Sequence, residues 1–500
     1  MRTTGSGLAA AALVLAFTAI LPTMLCGQSD AVSDALGAMQ RGDLSSAEHI
    51  LQVDLQTKPH DVAALDVLGV VLDHEKKYAE ADEIYRRAIR LPQPSSGLLN
   101  NYGNHLLTTG KLKEAQAVFL KVIALNPAQV NAHVQLARIS LEEKLGSAAL
   151  ANLNQIPAKE RDQSIELLRM QVLYILDRNR EAEAILAGFS SQARNDAHLG
   201  FQLGLALAAA KQYDKAETFF SRAAELAPAD VEALHNLGIA ASHAGHDERA
   251  RQVLEAALER EPRNVDVLYD LAAVDVKLNQ KELAVERLAQ ASQLAPDRAD
   301  VQCLLARTTA DLGYYGDAVQ AWSRYMAIDP DDDAGRRERG FAQTALGTGG
   351  KSGMEDLQWF VQRHPEDPIG HYELGMALTV NDASGALSQF DRALLLKPDF
   401  APALVARALL NLHRGKPDAA LPDLELAAQR EPGNAPILDR LGQTYMALER
   451  PADAERVLRK SFQLAPLDST TLMHLSRALM RTGKSQEASA VMARFRELGP

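Results

Sequence analysis

The sequence is poor in cysteine, since Cys26 and Cys303 are its only two among 500 residues. Because Cys26 lies beside an N-terminal apolar segment, the rest of the chain has one cysteine and can form no intramolecular disulfide. Cys303 falls within a helical apolar pattern, which favours a buried thiol that packs as a small hydrophobe over a reactive one. We therefore expect the fold to be stabilised by packing rather than by cross-links.

Positive charge is also scarce. The chain has 53 Lys and Arg against 65 Asp and Glu, a formal net charge of −12, and no run of basic residues. This balance argues against a non-specific nucleic-acid binder and a binder of anionic membranes, because both need a positive surface. Hydrophobic residues make up 47% and charged residues 24% of the chain, which is typical of a folded, soluble protein.

One long hydrophobic run stands out, Leu8–Leu21, and it is short for a membrane span but has the length of a secretory h-region. Gly27-Gln28-Ser29 offers a small-x-small cleavage site. We predict a signal peptide over residues 1–29, export to the periplasm or the exterior, and no membrane span in the mature chain. Two alternatives stay open: an uncleaved N-terminal anchor, and a lipoprotein modified at Cys26, although Leu25 stands where a lipobox has a small residue.

What the sequence does have is regularity. A proline recurs at nearly constant spacing, at Pro228, Pro262, Pro296, Pro330, Pro365, Pro398, Pro432, Pro466 and Pro500. An alanine recurs even more strictly. A constant period of this length indicates a solenoid of stacked repeats. The positions of this alanine register are Ala47, Ala81, Ala115, Ala149, Ala182, Ala216, Ala250, Ala284, Ala318, Ser352, Ala386, Ala420, Ala454 and Ala488.

Each repeat unit divides into two amphipathic helices. In one unit, Leu234, Leu237 and Ala241 follow the spacing of a buried helical stripe, and Gly245 suits the left-handed cap of that first helix. The second helix carries the alanine of the register and ends before the proline. Small residues recur at Gly238 in the first helix and at the alanine in the second, where we predict a close approach of the two helices. A single hairpin buries only one face, so each unit needs its neighbours.

This pattern resembles the tetratricopeptide repeat (TPR) family. The Leu-Gly pair at 237–238 matches the family's first-helix signature, and Phe220, Trp322 and Tyr445 match other family sites. The resemblance covers residues 30–500. It implies an all-α fold, a right-handed superhelical solenoid of about fourteen helix-turn-helix units whose first helices line a concave face.

The pattern is least regular between residues 150 and 196, which contain no Leu-Gly pair. The alanine register is also one residue short there, between Ala149 and Ala182. We predict a bend or a junction in this region. The N-terminal repeats would then occupy residues 30–162, and C-terminal repeats over residues 163–500 would continue the same solenoid.

Three short stretches approach ligand-binding motifs but depart from them in detail. Residues 346–353, LGTGGKSG, lack the first glycine of a phosphate-binding loop and follow a predicted helix instead of a strand. Residues 329–340 lack the glycine and the final carboxylate of a calcium loop, and their aspartates favour a helix cap. The triplet RGD at 41–43 is predicted to be a turn between helices.

Catalytic groups are not indicated either. His235, His243 and His246 come nearest to a histidine cluster, but a metal site needs converging ligands with supporting partners. No serine or cysteine has the local signature of a nucleophile. We therefore predict no catalytic residue, no cofactor and no metal site.

One step round from the packed stripe, the first helices carry a surface that is more apolar than a solvated face should be. The resemblance implies that it lines a groove, in which methionines adapt to shape and amides bond an extended backbone. The alternative is that these residues contact the neighbouring repeat. The candidate groove residues are Asn100, Asn104, Phe201, His235, Tyr269, Arg307, Phe341, Met376, Leu409, Met473 and Arg477.

The sequence thus predicts a non-catalytic TPR scaffold of the periplasm or cell envelope that binds partner proteins or peptides along a concave groove. The alternatives are a component of an envelope secretion or assembly complex, and an enzyme-associated subunit. Because the chain is acidic, a neutral or basic partner is favoured over an acidic one.

Overall fold

The computed structural model describes residues 30–347 and 350–497. Within these ranges the regular structure is helical, with 28 α-helices and one short 3-10 helix, Ala158–Glu160. The predicted signal peptide and its alternatives at Cys26 precede the described residues. In the described ranges, no helix combines the length and apolar character needed to cross a membrane.

The chain divides into two compact units, with the division after Pro262. The helices of the first unit are α1 (Asp30–Gln40), α2 (Leu44–Thr57), α3 (Val62–His74), α4 (Tyr78–Ile89), α5 (Ser96–Thr108), α6 (Leu112–Leu125), α7 (Val130–Glu142), α8 (Gly146–Gln155), α9 (Gln163–Ile175), α10 (Asn179–Ala193), α11 (Ala197–Ala209), α12 (Tyr213–Leu226), α13 (Val231–Ala244) and α14 (Asp247–Arg260).

The helices of the second unit are α15 (Val265–Lys277), α16 (Lys281–Leu294), α17 (Ala299–Asp311), α18 (Tyr315–Ile328), α19 (Asp333–Ala345), α20 (Gly350–Arg363), α21 (Pro368–Leu378), α22 (Ala383–Leu396), α23 (Ala401–His413), α24 (Pro417–Arg430), α25 (Ala435–Ala447), α26 (Pro451–Leu464), α27 (Ser469–Arg481) and α28 (Ser485–Glu497). Each unit is a stack of hairpins, in which an odd-numbered first helix packs on the even-numbered second helix that follows it. The predicted all-α repeat solenoid is confirmed.

The turns follow the predicted chemistry. Gly245 ends α13 in the left-handed conformation, with φ of +87°. The second helices end shortly before the recurring prolines; α12, for example, stops at Leu226, just before Ala227-Pro228. The two motif-like stretches with aspartates are helix caps, because Asp43 accepts the N–H of Ser46 in α2 and Asp332 caps α19 in the same way.

The small residues of the two helices meet as predicted. The alanines of the register are buried in the described hairpins; Ala250 and Ala420, for example, are both fully buried. On the first helix, a Cβ added to Gly238 would lie 2.5 Å from Leu254 Cγ. The Leu-Gly pair therefore allows the second helix to approach without displacing its large side chain.

The structure corrects the register at one hairpin. Ser352 was expected at the buried small-residue position of α20, but it is exposed and Gly353 is buried instead. A Cβ on Gly353 would lie 2.8 Å from the carbonyl oxygen of Gly340 in α19, so only glycine fits this approach. The extra residue in the loop before α20 explains why Pro365 comes one residue late.

The predicted irregular region has distinct local structure. Helix α8 has 10 residues, the 3-10 helix follows it, and α10 has 15 residues. In other hairpins a small residue of the first helix faces the second helix. In α9 its place is taken by Met170, which is fully buried. A domain junction at residue 162 stays a prediction.

Candidate functional site

All candidate groove residues lie on first helices. In the first unit, Asn100 and Asn104 lie on α5, Phe201 on α11 and His235 on α13. These positions define a face of the first helices that we call the first-helix surface. Each of the two units has its own first-helix surface. The members in the second unit are Tyr269, Arg307, Phe341, Met376, Leu409, Met473 and Arg477.

In the first unit, a carboxamide network joins α5 to α7. Nδ2 of Asn131 donates to Oδ1 of Asn100 at 2.8 Å and to Oδ1 of Asn104 at 3.2 Å. Nε2 of Gln135 donates in turn to Oδ1 of Asn131 at 3.3 Å. Within the described part of the chain, Nδ2 of Asn100 and Nδ2 of Asn104 have no acceptor. The oxygens of both asparagines are therefore already bonded. The half-buried Asn104 offers unused N–H donors at the surface, whereas Asn100 is buried, with 8% of its surface exposed.

Arg138 lies on α7, one repeat after Asn104 and at the equivalent place of its hairpin. Its side chain reaches solvent, yet partial burial lowers the pKa of its guanidinium from the ordinary value, with no neighbouring charge contributing. In residues 30–347 and 350–497 it has no hydrogen-bond or ion-pair partner. An arginine without a counter-charge beside unused amide donors forms a surface suited to acceptor groups.

The neighbouring hairpin carries an acid at the same surface. Nδ2 of Asn101 donates to Oδ1 of Asp66 at 3.0 Å. Burial raises the pKa of Asp66 to about 6, and this hydrogen bond opposes the rise. The polar part of the first-helix surface in the first unit therefore runs from a carboxyl group, through amides, to a guanidinium group.

Phe201 and His235 are half-buried. The ring of Phe201 packs against Phe220 of α12 at a centroid distance of 5.5 Å, so part of its surface belongs to its own hairpin. For Phe201 the structure favours packing within the array, so its side chain is only partly available to a ligand.

A ladder of arginine and glutamate side chains crosses three first helices of the second unit. Arg307 of α17 lies 3.6 Å from Glu338 of α19, and Arg337 lies 3.3 Å from the same carboxylate. The other side of Arg337 contacts Glu373 of α21 at 3.2 Å. Burial raises the pKa of Glu373 to about 8 in spite of this arginine. Three of these four residues, all except Arg307, were missed in the sequence.

The apolar members of this surface are only partly available. Tyr269, Phe341, Leu409 and Met473 are half-buried, whereas Met376 is 39% exposed. Arg477 is also exposed. Cys303, expected to be a buried thiol, is half-buried on the same surface, and burial raises its pKa.

The repeat period alone could have identified two arginines that were missed in the sequence, one in each unit. Stepping one repeat period along the chain from Asn104 reaches Arg138, and stepping two periods from Tyr269 reaches Arg337. The residues that complete the hydrogen bonds, Asn131 and Glu373, lie at other places of the repeat, so the period alone does not identify them.

The structure also bears on the histidine cluster. His246 bonds Glu217 at 2.7 Å, and His243 stacks on Tyr213 at a centroid distance of 4.7 Å. Among the residues that the structure describes, no group of three His, Cys, Asp or Glu side chains is arranged to hold a metal ion.

Family models described as tetratricopeptide repeat match this chain at residues 106–173, 207–262, 244–308 and 411–469, and further models of that description match residues 377–436 and 62–93. Together they match more than half of the sequence. The chain belongs to the tetratricopeptide repeat family. Such TPR arrays are protein-interaction scaffolds, and none of the matched models describes a catalytic family.

Two curated proteins share part of the array. Protein FlbA of Caulobacter vibrioides is 34% identical over 118 residues, which are 23% of this chain and 20% of FlbA. The type IV pilus assembly protein PilF of Pseudomonas aeruginosa is 30% identical over 142 residues, which are 28% of this chain and 56% of PilF. The chain thus spans a fifth to just over half of the length of these relatives.

Among solved structures, the APC/C hetero-tetramer Cut9–Hcn1 aligns with a TM-score of 0.43 and 16% identity. The alignment covers 90% of this chain and 89% of the other.

Proposed function

We propose that this TPR protein is a non-catalytic scaffold of the periplasm or cell envelope that binds extended segments of partner proteins along its first-helix surfaces. The observation that carries the proposal is the set of unused donors in the first unit. Within the described ranges, Asn104 and Arg138 present N–H groups without acceptors on two successive first helices, and the buried Asn100 lies beside Asn104 on the first of them. An extended segment directs a backbone carbonyl to one side at every second residue, about 7 Å apart, and such carbonyls can accept from these donors.

The envelope location rests on two independent supports. The apolar run Leu8–Leu21, followed by a small-x-small site, favours export. One relative, PilF, is named as an assembly protein of the type IV pilus. A role in assembling an envelope complex is therefore the form of scaffold that we favour.

Export can be measured directly. N-terminal sequencing of the protein from native cells should show a mature chain that begins at Gln28, Ser29 or Asp30. Recovery of an intact Met1, or of a lipid-blocked Cys26, would replace the exported form with an anchored one.

Binding is tested by capture from the native envelope with the full chain as bait. Asn104→Ala and Arg138→Gln should weaken capture of the native partner. The first removes an amide donor, and the second removes the positive charge and three of the five N–H donors of the guanidinium group. Helicity and melting temperature should stay nearly unchanged, since both side chains reach the surface.

Matched controls lie on second helices. Asn179 in α10 and Arg456 in α26 are exposed, so Asn179→Ala and Arg456→Gln repeat the same chemical changes away from the first-helix surface. They should leave capture intact. Loss of capture in the controls, with normal capture in the test variants, would place binding on the second helices and refute the proposal.

A further inference from the structure

A cavity of about 470 Å³ opens on the second helices of the first unit, where α10, α12 and α14 face it. Its lining contains no residue of a first helix, so it is separate from the first-helix surface. Three guanidinium groups line this cationic cavity, those of Arg194, Arg222 and Arg249. The other lining residues are Ser190, Ala193, Thr218, Phe219, Ser221 and Glu225.

Two of the arginines are held by the protein. Nε of Arg222 donates to the carbonyl oxygen of Arg194 at 2.7 Å, and its Nη1 donates to Glu225 at 2.8 Å. Nη1 of Arg249 lies 2.7 Å from the buried carboxylate of Glu217. These bonds fix two cations at the cavity wall before any ligand arrives, which reduces the entropy lost on binding.

Arg194 differs from these two. It follows the C-terminus of α10, its side chain is exposed, and within the described ranges its guanidinium has no partner. All five of its N–H donors are therefore available in a planar fork that matches a carboxylate. Against the three guanidinium groups stand the carboxylates of Glu217 and Glu225, and Glu217 is also bonded to His246, so the cavity keeps a net positive charge.

The hydroxyl groups of the wall supply acceptors. The hydroxyls of Ser190 and Thr218 donate to carbonyl oxygens of their own helices, at 2.7 Å and 3.0 Å. Their oxygen lone pairs remain available for N–H groups of a ligand. Ala193 and Phe219 add an apolar part to the lining, which suits a methylene stem.

We propose that the cationic cavity binds the carboxylate of an acidic side chain on a partner protein. The net positive charge and the planar fork of Arg194, whose guanidinium has no partner within the described ranges, match a carboxylate, which can accept two parallel N–H···O bonds. The hydroxyl acceptors suit the peptide N–H groups beside that acidic residue. The acidic balance of the whole chain does not oppose this, because charges beyond about 8 Å are screened at physiological ionic strength.

The test uses the full chain and two fluorescent peptides, hexaglutamate and hexaglutamine, with binding followed by anisotropy. Hexaglutamate should bind and hexaglutamine should bind about tenfold more weakly or not at all. Arg194→Gln should weaken hexaglutamate binding by about tenfold, because it removes the unpaired cation. Glu225→Gln should tighten binding, because it removes the carboxylate that competes for Arg222.

A control separates this cavity from other exposed cations. Arg456→Gln, an exposed change in α26, should leave hexaglutamate binding unchanged. Equal binding of the two peptides, no effect of Arg194→Gln, or weaker binding in Glu225→Gln would each overturn the proposal. Displacement of hexaglutamate by inorganic phosphate at lower concentration than by acetate would also overturn it, in favour of a phosphate site.

Discussion

The close approach of two helices at Gly204 gives a quantitative test of the fold. A Cβ added to Gly204 of α11 would lie 2.5 Å from Cε1 and 2.6 Å from Cδ1 of Phe220 in α12. Phe220 is fully buried, so its ring has no solvent to move into. Gly204→Ala should therefore force the ring or the helix to shift.

The expected magnitude is a difference of two terms. Overpacking a well-packed core costs about 1–3 kcal/mol. Alanine is favoured over glycine in a helix interior by about 1 kcal/mol. The net destabilisation of Gly204→Ala should then reach about 2 kcal/mol.

A neighbouring glycine supplies the control. Gly188 in α10 is exposed, and a Cβ added there would meet nothing within 4 Å. Gly188→Ala should therefore show only the gain in helix propensity and stabilise by about 1 kcal/mol.

Hydrogen exchange is the appropriate assay, because arrays of repeats lose structure repeat by repeat and need not unfold in two states. In Gly204→Ala the amides of α11 and α12 should exchange faster, and Phe220→Leu added to it should restore part of the protection. If Gly204→Ala instead stabilised its helices as Gly188→Ala does, the close approach would not constrain the sequence, and the packing argument would fail.

Three further perturbations test other parts of the array. Ala250→Leu adds volume at a fully buried position and should lower the local stability of its hairpin by about 1–3 kcal/mol, measured as faster hydrogen exchange of the amides in α13 and α14. Burial raises the pKa of Glu373 to about 8 from 4.5, so the stability that it contributes is greatest below pH 4.5 and falls as pH rises towards 8. Melting temperatures should show Glu373→Gln gaining on the native protein from pH 5 to pH 8; a constant difference would contradict this. Asp356→Leu should destabilise the hairpin of α19 and α20 by about 3 kcal/mol, measured by hydrogen exchange, because it leaves Arg336 and Arg339 without their carboxylate. Adding Arg336→Leu and Arg339→Leu should recover most of that loss.

The regular part of the fold could be predicted from the sequence because the small residues and the helix-ending residues of the repeat each meet a local physical need. Gly245 adopts a left-handed conformation that favours glycine, and Gly238 faces a leucine that leaves no room for a side chain. The failure at Ser352 has an equally local cause. One extra residue in the loop moved the buried position to Gly353; the late Pro365 carried this signal, whereas the alanine count passed over it.

The candidate site was predictable only in part. The period placed Asn100 and Asn104 on one face of α5, and the structure agrees. It could not show that Asn131, at another place of the next hairpin, occupies both of their oxygens. Contacts between hairpins decide which hydrogen-bonding groups remain available to a partner. The pattern of a single repeat does not contain these contacts.

The hairpin of α19 and α20 shows how a repeat persists after its apolar pattern is lost. Arg339-Gly340 stands where other hairpins have Leu-Gly, and Nε of Arg339 donates to the buried carboxylate of Asp356 at 2.8 Å. The hairpin of α23 and α24 has the same arrangement, with Arg407 bonded to the buried Asp423.

Asp356 and Asp423 are buried carboxylates, and a buried charge without a partner is strongly destabilising. The arginine at the Leu-Gly position supplies that partner in both hairpins. The pair replaces a leucine in the packing of the hairpin, and a small residue still follows the arginine in both cases, at Gly340 and Ala408. In these two hairpins the small residue that permits close approach is retained, and the large residue beside it is polar with its charge matched. The hairpin of α9 and α10 departs at both places, since Arg169 stands at the large place and the buried Met170 at the small one.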